Sequence, residues 1–126
     1  MFKLSERSLS RLEGVHPDLV AVVKDAIKIS DVDFGVIEGL RTFERQKELY
    51  ASGASKTLNG RHVTGHAVDL AAYVGGVLTW KPQFYKPIAE AMKLAARDRN
   101  IPIVYCGDWV FFKDLVHFEL DRRKYP

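Results

Sequence analysis

Hydrophobic residues recur along the chain with two different spacings. The longer spacing, which matches the turn of a helix, predicts helices. Apolar residues recur at helical spacing over 17–27, and Pro17 suits the first turn of a helix. A second helix is expected over 43–51, because Thr42 is a good N-cap just before it. A third helix is predicted around 88–95, where apolar residues again share one face.

The shorter period predicts strands. They are expected over 34–40, 66–73, 77–80, 101–105 and 115–120. Gly75 and Gly76 indicate a tight hairpin turn between the second and third of these, and the composition of 53–65 is typical of an irregular loop. Helices and strands mix without a regular βαβ alternation. We therefore expect an α+β fold with a mainly antiparallel sheet.

Length and composition narrow the class of protein. With 126 residues, 47% of them hydrophobic, the chain is expected to form a single domain over 1–126, without a second folded module. One cysteine, Cys106, leaves no intramolecular disulfide. The N-terminus has no apolar signal-peptide core, and no run approaches the roughly 18 apolar residues of a membrane span. Synthesis in the cytoplasm without a signal peptide is expected.

The segment 60–69 holds the most concentrated metal-binding chemistry. It contains His62, His66 and Asp69, and imidazole together with carboxylate suits Zn²⁺. On a helix these three would share one face, but Gly65 and its β-branched neighbours disfavour a helix. We expect a loop that leads into a strand, in which His62 and Asp69 come from opposite ends and His66 need not join them.

A third ligand has to come from far along the chain, and His117 is the candidate. Asp114 precedes it by three residues, so on a regular strand the two side chains would point to opposite faces. Both can reach one site only if Asp114 lies in the turn before the strand. Three protein ligands would then leave a fourth zinc position for water, with Asp114 beside it to accept a proton. Hydrolysis of an amide is the predicted reaction.

Four segments together resemble a known family. They are EGLRT (38–42), GRHVTGHAVDL (60–70), GDW (107–109) and DLVHFEL (114–120). They are similar to the zinc peptidases of the D-Ala-D-Ala carboxypeptidase and VanY type, and most of all to small bacteriophage endolysins with L-alanyl-D-glutamate peptidase activity. The resemblance spans roughly 34–120 and implies a hedgehog/DD-peptidase-like α+β fold, with a mainly antiparallel sheet flanked by helices.

The resemblance also implies a role for individual residues. The implied zinc ligands are His62, Asp69 and His117, and the implied general base is Asp114. Arg41 is the implied cation that polarises the scissile carbonyl or holds a substrate carboxylate. Trp109 is expected to line the substrate groove, and His66 to face the substrate or stand behind the ligands. Many relatives carry a serine where this chain has Gly60, and one hydrogen bond to substrate would be lost with it.

Three further residues near these motifs receive more ordinary interpretations. Gln46 is expected to help orient the region of Arg41. Glu119 shares a strand face with His117; a hydrogen bond near the metal is one interpretation, and a surface carboxylate is the preferred one. Cys106 is expected to be a small buried residue.

The predicted function is that of a zinc-dependent peptidoglycan endopeptidase, an endolysin that hydrolyses the L-Ala-D-Glu bond of the stem peptide and leads to bacterial lysis. It would act as a monomer on the cell wall after membrane permeabilisation, without nucleic acid or stable membrane association. A D,D- or L,D-carboxypeptidase of the same zinc family is the alternative. A non-catalytic basic module that binds cell wall or nucleic acid is another, but a net charge of +3 spread along the chain supports it weakly.

Overall fold

The computed structural model describes residues 1–54, 60–109 and 113–126, which form helices around one antiparallel sheet. In chain order the elements are α1 (Glu6–Arg11), α2 (Pro17–Ile29), β1 (Asp33–Glu38), α3 (Phe43–Ala51), β2 (Ala67–Val74), β3 (Val77–Thr79), α4 (Tyr85–Asp98), β4 (Ile103–Tyr105) and β5 (His117–Leu120). Short 3₁₀ turns precede α4 and follow β4. The predicted α+β class is confirmed.

The long strand β2 organises the sheet. The strand order is β1-β2-β5-β4, and β3 pairs with the second half of β2. The register sets Asp69 of β2 opposite His117 of β5 on one side and opposite Glu38 of β1 on the other. Directly opposite residues of an antiparallel pair have Cβ atoms roughly 5 Å apart. The sheet itself therefore brings together side chains that are 31 and 48 positions apart in sequence.

The hydrophobic core lies between the sheet and the helices α2 and α4. The apolar faces of both helices are buried, including Leu19 and Val23 of α2 and Ile88 and Met92 of α4. Burial of each such side chain stabilises the fold by about 1.5–3 kcal/mol. Among the described residues, no helix is both long and apolar enough to cross a membrane.

Helix α1 protects the exposed edge of the sheet. The Ser8 hydroxyl accepts a hydrogen bond from the Val36 N–H at 2.9 Å, and Arg11 donates to the Val36 carbonyl at 3.0 Å. These bonds satisfy main-chain groups of β1 that would otherwise be open to another strand. Edge-to-edge association through this part of β1 is thereby disfavoured.

Most of the predicted elements are confirmed, with shorter strands at several ends. Helix α3 has the predicted bounds, and the Thr42 hydroxyl caps it by accepting a hydrogen bond from the Arg45 N–H at 3.1 Å. Gly75 and Gly76 both adopt positive φ in the predicted hairpin turn. The last strand begins at residue 117 rather than 115, since 115–116 form a turn. Of the predicted loop over 53–65, residues 55–59 lie outside the described residues.

Candidate active site

Three potential metal ligands converge from three separate segments. His62 lies in a series of turns before β2, which confirms the predicted loop leading into a strand. Its Nε2 lies 3.2 Å from Asp69 Oδ1 and 3.2 Å from His117 Nδ1. His117 Nδ1 lies 3.0 Å from the same oxygen of Asp69. One nitrogen from each ring and one carboxylate oxygen thus form a small triangle.

The other nitrogen of each histidine ring points away from this triangle and contacts a hydrogen-bond acceptor. His62 Nδ1 lies 2.9 Å from the main-chain carbonyl of Gly39, which can only accept a hydrogen bond. His117 Nε2 lies 3.1 Å from Glu119 Oε1, another acceptor. Each ring therefore carries its N–H on the outer side, and in the neutral form it directs a lone pair into the triangle.

This geometry fits a tetrahedral zinc ion. With zinc–nitrogen and zinc–oxygen distances of about 2.0–2.1 Å, the ligand atoms of a tetrahedral site are separated by about 3.3–3.4 Å. The separations of 3.0–3.2 Å between the three ligand atoms are close to that value. Two imidazole nitrogens and one carboxylate oxygen are also a donor set that zinc accepts readily. The group of His62, Asp69 and His117 is therefore suited to hold a metal ion.

The electrostatics of this group favour a positive charge at its centre. Burial acts to raise the pKa of Asp69, but hydrogen bonds from the His117 and His62 rings, donated when those rings carry a proton on both nitrogens, outweigh it and hold that pKa well below its usual range. Burial acts to lower the pKa of His117, but hydrogen bonds to Asp69, Cys106 and Glu119 raise it to about 12. A proton or a metal ion at His117 is therefore strongly stabilised by the carboxylates on both sides of the ring.

Glu119 is not the surface carboxylate that was expected. Its side chain is 9% exposed, and it lies between His117 and the buried guanidinium of Arg61, whose Nε is 3.7 Å from Glu119 Oε2. Arg61 is fixed in turn, because its Nη2 donates to the main-chain carbonyls of Leu120 and Tyr125. Alternation along the last strand had already put Glu119 on the face of His117. Its burial could not be anticipated, because it depends on Arg61 from a distant segment.

Arg41 is held at the edge of the site by two side chains. Its Nε and Nη2 donate to both carboxylate oxygens of Glu38 at 2.7 and 2.6 Å, and its Nη1 donates to Gln46 Oε1 at 2.7 Å. The predicted contact between Gln46 and Arg41 is present. Glu38 was not among the predicted site residues, although its spacing of three residues from Arg41 was a signal.

Gly60 makes room for this arrangement. A Cβ atom at residue 60 would lie 3.1–3.2 Å from the amide atoms of the fully buried Gln46 side chain. Those distances are tighter than ordinary van der Waals contact. Residue 60 is thus packed against the glutamine that holds Arg41.

An open cavity of about 440 Å³ gives access to the converging ligands. Asp114 and Trp109 line it together with the three ligands, and both are exposed. Asp114 precedes the turn at 115–116, so it meets the condition of lying outside the strand that carries His117. Its Oδ1 accepts a hydrogen bond from the Val116 N–H at 3.3 Å, which orients the carboxylate. Cys106 is buried as expected and also borders the cavity.

His66 lies elsewhere. Its Nδ1 contacts the Thr64 hydroxyl at 2.6 Å, and its ring lies 5.8 Å from that of His16. His66 is not among the described residues that line the cavity. Burial lowers its pKa, as do the nearby Arg61 and His16. The structure therefore does not bring His66 together with the other predicted site residues.

The fold and the site together define the class of protein. Two histidines and an aspartate converge at the floor of an open cavity, and a further carboxylate lies at its rim. Such a group of side chains could hold a metal ion within reach of a ligand in the cavity. A model of the family described as phage L-alanyl-D-glutamate peptidase matches residues 1–125, and the chain belongs to that family. It is therefore a peptidase, as the motifs predicted.

Individual relatives agree with this assignment. The chain is 29% identical to the L-alanyl-D-glutamate peptidase of Escherichia phage T5, over 98% of this chain and 93% of that protein. It is 28% identical to the peptidoglycan L-alanyl-D-glutamate endopeptidase CwlK of Bacillus subtilis, over 84% of this chain and 75% of that one. The crystal structure of the Serratia marcescens L-Ala D-Glu endopeptidase ChiX superposes with a TM-score of 0.95 at 46% identity, covering 99% of this chain and 94% of ChiX.

Proposed function

We propose that this protein is a zinc-dependent endopeptidase that hydrolyses the L-Ala-D-Glu bond in the stem peptide of bacterial peptidoglycan. The observation that carries the proposal is the convergence of His62, Asp69 and His117, with ligand atoms 3.0–3.2 Å apart, beside Asp114 in an open cavity. The bond is proposed from the names of the relatives, which all specify L-Ala-D-Glu peptidases.

In this proposal His62, Asp69 and His117 hold the ion, and Asp114 moves the proton. Zinc, when bound, supplies a Lewis acid that makes water nucleophilic near neutral pH and polarises a carbonyl group. The Asp114 carboxylate accepts a proton from the attacking water as the new C–O bond forms. It then delivers that proton to the leaving amine as the C–N bond breaks. The exposure of Asp114 and its orientation by the Val116 N–H support this role.

Arg41 is proposed to stabilise the negative charge that develops on the carbonyl oxygen. Three of its five N–H groups are used by Glu38 and Gln46, which leaves two donors on a guanidinium with a fixed orientation. A donor that is oriented before the reaction does not pay a reorganisation cost when charge develops. Trp109, exposed on the cavity wall, is proposed to contact the peptide.

The biological setting is part of the proposal. Because the substrate is the cell wall, the protein would reach it once the membrane is permeabilised and would lyse the cell as a monomeric single domain. The phage origin of one relative supports this setting.

The test combines product analysis with metal analysis. Purified peptidoglycan is digested, and the new termini are identified by mass spectrometry. A new amino terminus on D-Glu is expected, whereas release of D-Ala or new reducing sugar ends would overturn the proposal. His117→Ala should lose both bound zinc and activity. His66→Ala is the matched control, because His66 lies outside the described cavity lining, and it should keep both.

A further inference from the structure

The cavity wall carries several arginines, and they differ in how fully their charge is already used. The four are Arg41, Arg45, Arg61 and Arg122. Arg41 is bidentate to Glu38. Arg61 has a side chain only 8% exposed and is occupied by two main-chain carbonyls. Arg61 therefore has little charge left for a ligand that enters the cavity, and the two remaining donors of Arg41 are those assigned above to the carbonyl oxygen.

Arg122 differs from the other three. Arg45 pairs with Glu48 one helical turn away, with Nη1 and Oε2 3.3 Å apart. Arg122 makes no hydrogen bond to any residue that the structure describes. Its nearest anionic neighbour is Glu119, at 3.6 Å from Arg122 Nε to Oε2, and that carboxylate already serves His117. The Arg122 side chain is 66% exposed. Its guanidinium therefore keeps most of its donors for a ligand.

The location of Arg122 suits a group next to the scissile bond. Arg122 contacts Glu119, and Glu119 contacts the ring of His117, so one side chain lies between the guanidinium and a residue of the metal-binding triangle. A D-Glu residue that is acylated on its amino group continues the peptide through one of its two carboxyl groups. The other remains as a free carboxylate close to the bond that is cleaved, and arginine is the side chain best suited to bind it.

We infer that Arg122 binds the free carboxylate of the D-Glu residue on the amine side of the scissile bond, and that it thereby gives the enzyme a preference for acidic peptides. This inference rests on the proposed function and adds a specificity-determining residue to it.

The test compares two soluble peptides that differ in a single group. Both contain the L-Ala-D-Glu bond; in one the free carboxyl of D-Glu is retained, and in the other it is a primary amide. For Arg122→Gln we expect KM to rise about tenfold with the carboxylate peptide, as for loss of a hydrogen bond between charged groups, with kcat little changed. With the amide peptide KM should stay at the wild-type value. Arg122→Lys should restore part of the loss, because it keeps the charge.

Two variants serve as controls. Arg123→Gln removes a neighbouring charge that is 91% exposed, pairs with Asp121 and lies outside the described cavity lining, so it should behave as wild type. Arg45→Gln removes the other exposed cation among the described residues that line the cavity. Zinc content and melting temperature are measured for every variant. A loss of activity caused by disturbance of Glu119 and His117 is thereby distinguished from a loss of substrate binding.

Each outcome of these measurements either supports or contradicts the inferred role of Arg122. A loss that is equal for both peptides, or no loss for either, would overturn the inference. A carboxylate-selective loss at Arg45 rather than Arg122 would also overturn it. If the wild-type enzyme cleaves neither peptide at L-Ala-D-Glu, the proposed function itself is wrong, and this is seen before any variant is compared.

Discussion

Glu119 offers the sharpest test of how the metal centre is supported. Its carboxylate accepts the hydrogen bond from His117 Nε2 at 3.1 Å and so fixes the ring with Nδ1 directed at Asp69. In Glu119→Ala the His117 ring loses this acceptor and can rotate or change tautomer. Loss of such a supporting partner costs about 10–100-fold in metal affinity, which corresponds to roughly 1.4–2.7 kcal/mol.

The same substitution also affects folding, through Arg61. Among the described residues, the buried Arg61 Nε has no hydrogen-bond partner. Its ion-pair partner there is Glu119, whose Oε2 lies 3.7 Å away. Removal of one partner of a buried ion pair costs about 3–5 kcal/mol, and the hydrogen bonds that Arg61 keeps to two carbonyls reduce that cost. We therefore expect Glu119→Ala to lower the free energy of unfolding by about 2–3 kcal/mol.

The assay separates the two effects. Zinc affinity is measured by chelator competition at fixed pH, and stability by denaturant unfolding of the zinc-free protein. Removing both partners, in Arg61→Met with Glu119→Ala, should recover part of the stability but none of the zinc affinity. Glu90→Ala, which removes an exposed carboxylate of α4, is the control and should change neither. Wild-type zinc affinity in Glu119→Ala would refute the reasoning.

Three other predictions follow from the site. Asp114→Asn should keep stoichiometric zinc while kcat falls by about 10²–10⁴-fold, and a near wild-type rate would exclude it as the base. Gly60→Ser should displace Gln46 and lower kcat/KM with zinc content unchanged, as measured by steady-state kinetics and metal analysis. The lowered pKa of Asp69 stabilises the folded state above about pH 4. The raised pKa of His117 stabilises the folded state below about pH 6.5, and this contribution is lost as pH rises towards 12. Zinc-free protein should therefore unfold at higher denaturant concentration at pH 5.5 than at pH 8.5, and zinc should reverse that order; the opposite order without zinc would contradict the pKa directions.

Local patterns predicted most of the secondary structure, because local physics controls it. Thr42 caps α3 where expected, and the glycine pair closes the hairpin with the positive φ values that glycine adopts without strain. The ends of the strands were predicted less accurately. Residue 103, for example, begins β4 only after Pro102, which lacks an N–H for the sheet. Whether such end residues pair depends on a neighbouring strand that the local pattern does not specify.

The residues proposed for the candidate site could be named from the sequence, but their arrangement could be predicted only in part. His62, Asp69, His117 and Asp114 could be named because their chemistry and spacing match a recognisable pair of motifs. Glu119 was misjudged as a surface group. Burial of a charged side chain is decided by whether a distant partner is buried beside it, and here that partner is Arg61.

The sequence by itself determined the fold class, the helices, the hairpin and the set of side chains able to bind a metal ion. These follow from periodicity, capping and ligand chemistry, which act over a few residues. Only the tertiary structure decided which atoms face one another. The register of β2 with its neighbours set Asp69 opposite both His117 and Glu38, and the turns before β2 oriented His62 through the carbonyl of Gly39. Such contacts join residues far apart in sequence, so they exist only once the sheet has formed.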